Sequence, residues 1–274
     1  MTSSIVAPEI HDLPSIKRRI DSKIDSLLAA LPDHKDLTPE QRRGIIARYS
    51  AFLEGNFIYW MTATYLSVRS EEARPILFDN LREEIADCHP EMLRRFAVAA
   101  HAYPAQADAL AVRDDLTKVR TFLGCLQGAQ NVLTMGFLES YIQRFMSYLA
   151  DLAGAQGATD LEYTEVHGVC DISHSEGLLK ALSAEVEINP PDPAADLFEG
   201  VSQLRALIQT INGKRACERT CGRSGSVTLR EGSCNRFAVS RAIPPVAAKL
   251  LAVGVGCPGT RDICPRRERV KGRY

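Results

Sequence analysis

A chain of 274 residues with 45% hydrophobic content can bury a substantial core, and no run approaches the roughly 18 apolar residues that a membrane-spanning helix needs. Its first twenty residues, MTSSIVAPEIHDLPSIKRRI, carry charges where a signal peptide needs an apolar stretch, so a cytoplasmic protein is expected. The net charge of −1 hides an asymmetry: from Gly213 onward fourteen Lys and Arg face four acids, so about +10 there offsets about −11 before it.

After a loose leader over residues 1–11, Leu13, Ile16, Ile20, Ile24, Leu27 and Leu28 recur at helical spacing and predict a first amphipathic helix over 14–31. Thr38-Pro39-Glu40-Gln41 is a helix start, with Thr as N-cap, Pro at the first helical position and Gln to complete a capping box. The helix it opens is expected to run to Ser67, which leaves Glu54 in an apolar stretch where its carboxylate needs a partner. Ser70 with Glu71 and Glu72 caps the next helical stretch, and His89-Pro90 marks a break or a fresh start within it. A helix over 106–123 follows. Gly124 and Gly128 punctuate the next, which carries Glu139 among Met135, Leu138, Ile142 and Phe145. Thr159 to Glu162 reads as a capping box opening a helix to Val186, and Leu197 to Ile211 is a last amphipathic helix. Strand patterns are almost absent before residue 212, so the expected fold class is all-α, with a domain over 1–212.

Residues 213–274 read as a separate basic, Cys-rich tail, irregular or disordered, and the abrupt change of composition also fits a shifted reading frame. Cys217, Cys221, Cys234, Cys257 and Cys264 lack the second close pair of a zinc module. Phe237 and Tyr274 are too few aromatics for an RNA-binding one, so no nucleic-acid partner is expected. Cys88, Cys125 and Cys170 read as small buried hydrophobes.

The chemistry concentrates in YTEVHGVCDISHSEG, residues 163–177. His167, Asp171 and His174 fall at i, i+4 and i+7 and so share one helix face, a comb of two imidazoles and a carboxylate. With Glu54, Glu84, His89 and Glu139 they make seven candidate metal ligands from four helical segments. Carboxylate and imidazole donors without Cys suit iron or manganese, and so many acids around one centre require more than one cation. No Glu-x-x-His pair occurs, so the ferritin-type di-iron pattern is absent.

The order Glu54, NLREE with Glu84, His89-x-x-Leu, Glu139 and His167-x3-Asp171-x2-His174 resembles the haem-oxygenase-like di-iron oxidases, also called iron-containing redox enzymes, over residues 38–212. The resemblance implies a haem-free, haem-oxygenase-like bundle of about seven helices, two Fe(II) ions and O2 as co-substrate. It implies that Glu84, His89 and His167 hold one iron and that Glu54, Asp171 and His174 hold the other, with Glu139 bridging or closing the site. The short gap from Glu84 to His89 leaves Glu83 as a competing ligand. His101 has no counterpart and reads as structural. The implied activity is a non-haem di-iron oxidase or oxygenase on a small amino-acid-derived or carboxylate substrate, by N-oxygenation, desaturation or oxidative C–C cleavage, in natural-product biosynthesis. An external electron donor and a homodimer are left open. Arg120, Arg144 and Lys118 are candidates to pair with a substrate carboxylate or, alternatively, surface cations. Two rivals remain: a metal-free thiaminase-like or quinone-cofactor-synthase-like bundle, and a non-enzymatic binding module.

Overall fold

The helical periodicity of the sequence is realised throughout residues 13–213, the part of the chain that the structure, a computed structural model, describes. Nine α-helices and no strand occur among these residues: α1 (Leu13–Leu28), α2 (Pro39–Leu53), α3 (Asn56–Ser67), α4 (Ala73–Ala86), α5 (His89–Ala99), α6 (Gln106–Gly124), α7 (Gly128–Gly154), α8 (Glu162–Ile188) and α9 (Glu199–Ile211). The all-α expectation therefore holds. None of these helices is long and apolar enough to cross a membrane. The leader up to residue 12 and the tail from 214, with its five cysteines and the apolar run Pro245 to Val255, lie outside the described residues.

Local chemistry explains most boundaries. Thr38 accepts the Gln41 amide at 3.3 Å while its own amide donates to the Gln41 side chain at 2.8 Å, the reciprocal box read from the sequence. Ser70 accepts the amides of Glu72 and Ala73 and so starts α4. Asp108 accepts the Ala105 amide at 2.9 Å and also pairs with Arg43, which fixes the start of α6 against α2. The box expected at Thr159 does not form. The residue before α8 is Leu161, without a side-chain cap, and Asp160 only accepts the Glu162 amide at 3.3 Å.

Two breaks raise the count above seven. One lies at Cys88, where His89-Pro90 signals it. The other interrupts the stretch expected to be a single helix over 38–67. Gly55 takes a left-handed φ of 72°, which residues with a side chain resist, and the Asn56 side chain donates to the freed carbonyl of Phe52 at 2.8 Å. The apolar pattern runs on through this break, so periodicity alone misses it; the Gly-Asn pair is the signal.

The centre of the bundle is α7, in which every residue from Gly128 to Glu139 is buried. Its main partner is α8, and α9, α3, α2 and α1 complete the surround. Contacts between Glu139 and His174 and between Gln143 and Gly168 run in opposite directions along the two helices, so α7 and α8 are antiparallel. None of the three described cysteines is buried: Cys88 and Cys170 are half-buried and Cys125 is exposed, because they lie at helix ends and on an outer face.

Close packing is strictest at Gly200 on α9. A Cβ there would lie 2.2 Å from the Thr134 hydroxyl and 2.4 Å from the Phe122 ring. Gly200→Ala is expected to destabilise the bundle by about 3 kcal/mol through overpacking, measured as a lower urea midpoint at unchanged slope.

Candidate metal centre

On α8 the spacing of the comb is realised directly: His167, Asp171 and His174 are all buried on the face that meets α7 and α4. The facing side chains come from α4 (Asn80, Glu83, Glu84), the first residue of α5 (His89) and α7 (Glu139). Glu84 and His89 are five residues apart, which in an unbroken helix would set them about 140° apart around the axis. Cys88, at φ 56°, turns the chain between them and brings the His89 Nδ1 within 2.8 Å of the Glu84 carboxylate.

Two clusters result. Glu84, His89 and His167 each offer a ligand atom within 4.8 Å of the others, as do Glu139, Asp171 and His174, and all six residues are buried. In the first, the His89 and His167 rings lie 4.5 Å apart. The His167 Nδ1–H donates to the Tyr163 carbonyl at 2.9 Å, which leaves Nε2 with its lone pair as the free donor atom. In the second, the His174 Nε2 is bound to Glu83 at 2.9 Å, and its Nδ1 lies 3.7 Å from Asp171 and 3.9 Å from Glu139. Those gaps are too wide for hydrogen bonds. They suit an ion that binds each side at roughly 2.0–2.2 Å. The His174 Nδ1 and both Asp171 oxygens have no hydrogen-bond partner, although Asp171 is fully buried. Glu139 accepts one bond, from the Asn80 amide at 3.0 Å.

Titration behaviour follows from this burial. Burial pushes the Asp171 carboxyl well above the carboxylate range, and the nearby Glu139 and Glu84 charges add to the effect. Burial raises Glu139 to about 7, against the favourable pull of His174 and with Glu84 opposing ionisation. His167 is lowered to about 4, by burial first and by His89 second. For His89 burial acts downward but is outweighed by the Glu84 hydrogen bond and charge, so its value rises. Without an ion, protons neutralise the second cluster, and a cation would displace them.

A cavity of about 30 Å³ lies against the first cluster and against Glu139 of the second. Glu84, His89, His167 and Glu139 line it together with the apolar Phe57, Ile58, Leu93 and Ile142. Leu53 and Gly55, at the break between α2 and α3, also line it.

Six of the seven ligands read from the sequence are thus brought together. Glu54 is not: at the end of α2 its side chain is 38% exposed and lies 3.5 Å from Arg94. The expectation of an apolar setting for it fails with the helix break, and Glu139 occupies the place in the second cluster that the resemblance implied for Glu54. Glu83 does not compete with Glu84, since the two lie on different sides, Glu84 at His89 and Glu83 at His174. His101 is exposed in the turn after α5 at φ 52°, away from both clusters. Arg144 pairs with Asp25, Lys118 with Asp115 and Arg120 with Asn56, which places all three outside the cavity wall. Sequence reasoning missed Asn80, although its i, i+4 relation to Glu84 puts both on one face of α4. Neither a protein-family model nor a curated protein matches the chain.

Two outcomes test these forces. The folded metal-free protein keeps a proton on Glu139 up to about pH 7 that the unfolded chain releases near 4.5, so stability falls as pH rises through that window, by at most about 1.4 kcal/mol per unit. Glu139→Gln removes this loss, and the metal-free variant is expected to be a few kcal/mol more stable than the parent at pH 8 and similar to it at pH 4, by urea melts in chelator. Cys88→Gly relieves a left-handed side-chain residue and is expected to raise stability by about 1 kcal/mol, whereas a β-branched Cys88→Val lowers it.

Proposed function

We propose that the two clusters hold a pair of ferrous ions and that the chain is an O2-dependent non-haem di-iron oxidase or oxygenase acting on a small amino-acid-derived or carboxylate substrate. The observation that carries the reading is the set of buried acceptors left without hydrogens, both Asp171 oxygens and the His174 Nδ1, converging with Glu139. Buried polar atoms are nearly always satisfied in folded proteins, and here a cation is the partner that fits all of them.

The arrangement supports two ions over one. Six buried ligands fall into two separate groups of three, each with its ligand atoms within 4.8 Å of one another. The donor set, imidazole and carboxylate without thiolate, matches iron or manganese better than a structural zinc site. Glu84, His89 and His167 would hold one ion and Glu139, Asp171 and His174 the other. Glu139 is the member of its cluster that lines the cavity beside Glu84, His89 and His167.

When bound, a ferrous pair supplies the electrons and open coordination positions for reducing O2 and oxidising a substrate. The protein's own groups prepare the place. The Tyr163 carbonyl and the Glu83 carboxylate fix the tautomers of His167 and His174, and Asn80 orients Glu139. Phe57, Ile58, Leu93 and Ile142 keep the cavity apolar and exclude bulk water from it, and its size matches a diatomic molecule or a water or two. The Glu139 proton leaves as metal enters, so affinity for the metal rises with pH up to about 7. A metal-free binding bundle would have no use for Asp171 at this position.

Anaerobic titration with Fe(II) is expected to reach close to two ions per chain, and a folded protein that takes up none would end this reading. His174→Ala should keep its helical circular dichroism, retain one ion and lose the reaction of the ferrous protein with O2, followed by stopped-flow absorbance.

A further inference from the structure

At the other end of the α7–α8 pair lies a buried carboxylate that the proposed centre does not use. Glu185 on α8 is fully buried. Its Oε2 accepts the backbone amides of Arg69 and Ser70 at 2.8 and 2.9 Å, and its Oε1 accepts the Asn189 side-chain amide at 2.9 Å. The amides belong to the turn that ends α3 and starts α4. Space for the carboxylate exists because residue 128 is glycine: a Cβ there would lie 2.3 Å from the Glu185 Oε1 and 3.0 Å from the Ser67 carbonyl. Three elements, the first residue of α7, the last turns of α8 and the α3–α4 turn, thus meet on one side chain.

The position along the helices gives this junction its meaning. Glu185 follows His174 by eleven residues and Glu139 follows Gly128 by eleven, which is three helical turns, or about 16 Å, in each case. Junction and clusters therefore lie on the same faces of the antiparallel pair, and α4 runs from one to the other. The ligands on α8 and α7 are carried by those helices, with Asn80 and Glu83 of α4 only orienting Glu139 and His174, whereas Glu84 is itself carried by α4 and reaches His167 only if α4 sits at the right height on α8. Serine and arginine amides held by a carboxylate fix that height, because two N–H groups converging on one oxygen leave little freedom to slide.

We propose that Glu185, with the space left by Gly128, is a positioning residue for the metal centre: it locks the start of α4 to α8 and so places Glu84 in its cluster. The inference rests on the metal reading above. In Glu185→Ala the two amides and Asn189 lose their acceptor, α4 is free to shift, and the Glu84, His89, His167 cluster loses its geometry. The cluster of Glu139, Asp171 and His174 keeps all three ligands, which α7 and α8 carry, and loses only the orienting contacts of Asn80 and Glu83. Glu185→Gln keeps an oxygen for the two amides, and a flip of the Asn189 amide supplies an acceptor for the new NH2, so this variant should behave like the parent.

The test is anaerobic optical titration of the full chain with Co(II) alone. Wild-type protein should take up two ions; Glu185→Ala should keep its helical circular dichroism and one ion, with the other bound at least tenfold more weakly; Glu185→Gln should restore it. Gly128→Ala, which leaves every polar group in place but crowds the carboxylate, should repeat the Glu185→Ala result. A purely structural role is separated by a double variant: in a Glu84→Gln background Glu185→Ala should cause no further loss of Co(II) affinity. A wild-type protein that binds no Co(II) overturns the metal reading. A wild-type protein that binds two ions, with Glu185→Ala binding both equally well, overturns the positioning role alone. Loss of the fold in both Glu185→Ala and Gly128→Ala also overturns it, since Glu185 would then serve folding as a whole.

Discussion

Everything about the centre of this bundle follows from the cost of burying carboxylates where water cannot reach them. Glu139 and Asp171 are held between two long helices with one hydrogen bond on the first and none on the second. An isolated charge in such surroundings is unfavourable by several kcal/mol or takes up a proton. The helices accept this because the first half of α7 is buried on all sides and the helix as a whole brings many apolar side chains to the core, so a large hydrophobic surplus is available to offset a small polar deficit. Among the described residues, the buried carboxylate oxygens that lack hydrogen-bond partners are confined to the place where α4, α5, α7 and α8 converge.

The geometry that confines it rests on local irregularities. A left-handed Cys88 redirects His89 toward Glu84, and the tautomers of His167 and His174 are set by a carbonyl on one side and a half-exposed carboxylate on the other. The ligands thus belong to regular helices, while their aim depends on a turn and a main-chain oxygen, which are features of backbone, and on one surface acid that only the tertiary fold brings to His174.

This division explains what could be read from the sequence. The comb on α8 was legible because its three residues share one helix and helical spacing settles their direction. The helices themselves were legible for the same reason, with capping chemistry at Thr38 and Ser70 to mark their starts. Glu54 misled because hydrophobic periodicity continues through Gly55 and Asn56, so a break that depends on one glycine's φ leaves no trace in the apolar pattern. The pairing of Glu139 with Asp171 and His174 is a tertiary fact, as are the different sides taken by Glu83 and Glu84. The cysteines at 88, 125 and 170 were misjudged since composition does not say which face of a helix is outward. Glu185 hid in plain view: its acceptor role depends on amides more than a hundred residues away.

The polarity of α8 is inverted around its middle, with His167, Asp171 and His174 inside while Val169 and Ile172 are 68% and 48% exposed. Apolar residues at the three inner positions would suit the core better, and polar ones at the two outer positions would suit the solvent better. The middle of α8 therefore folds against its own residue preferences, and what holds it in register is the apolar contact further along the same helix, where Leu178, Ala181, Leu182 and Val186 enter the core.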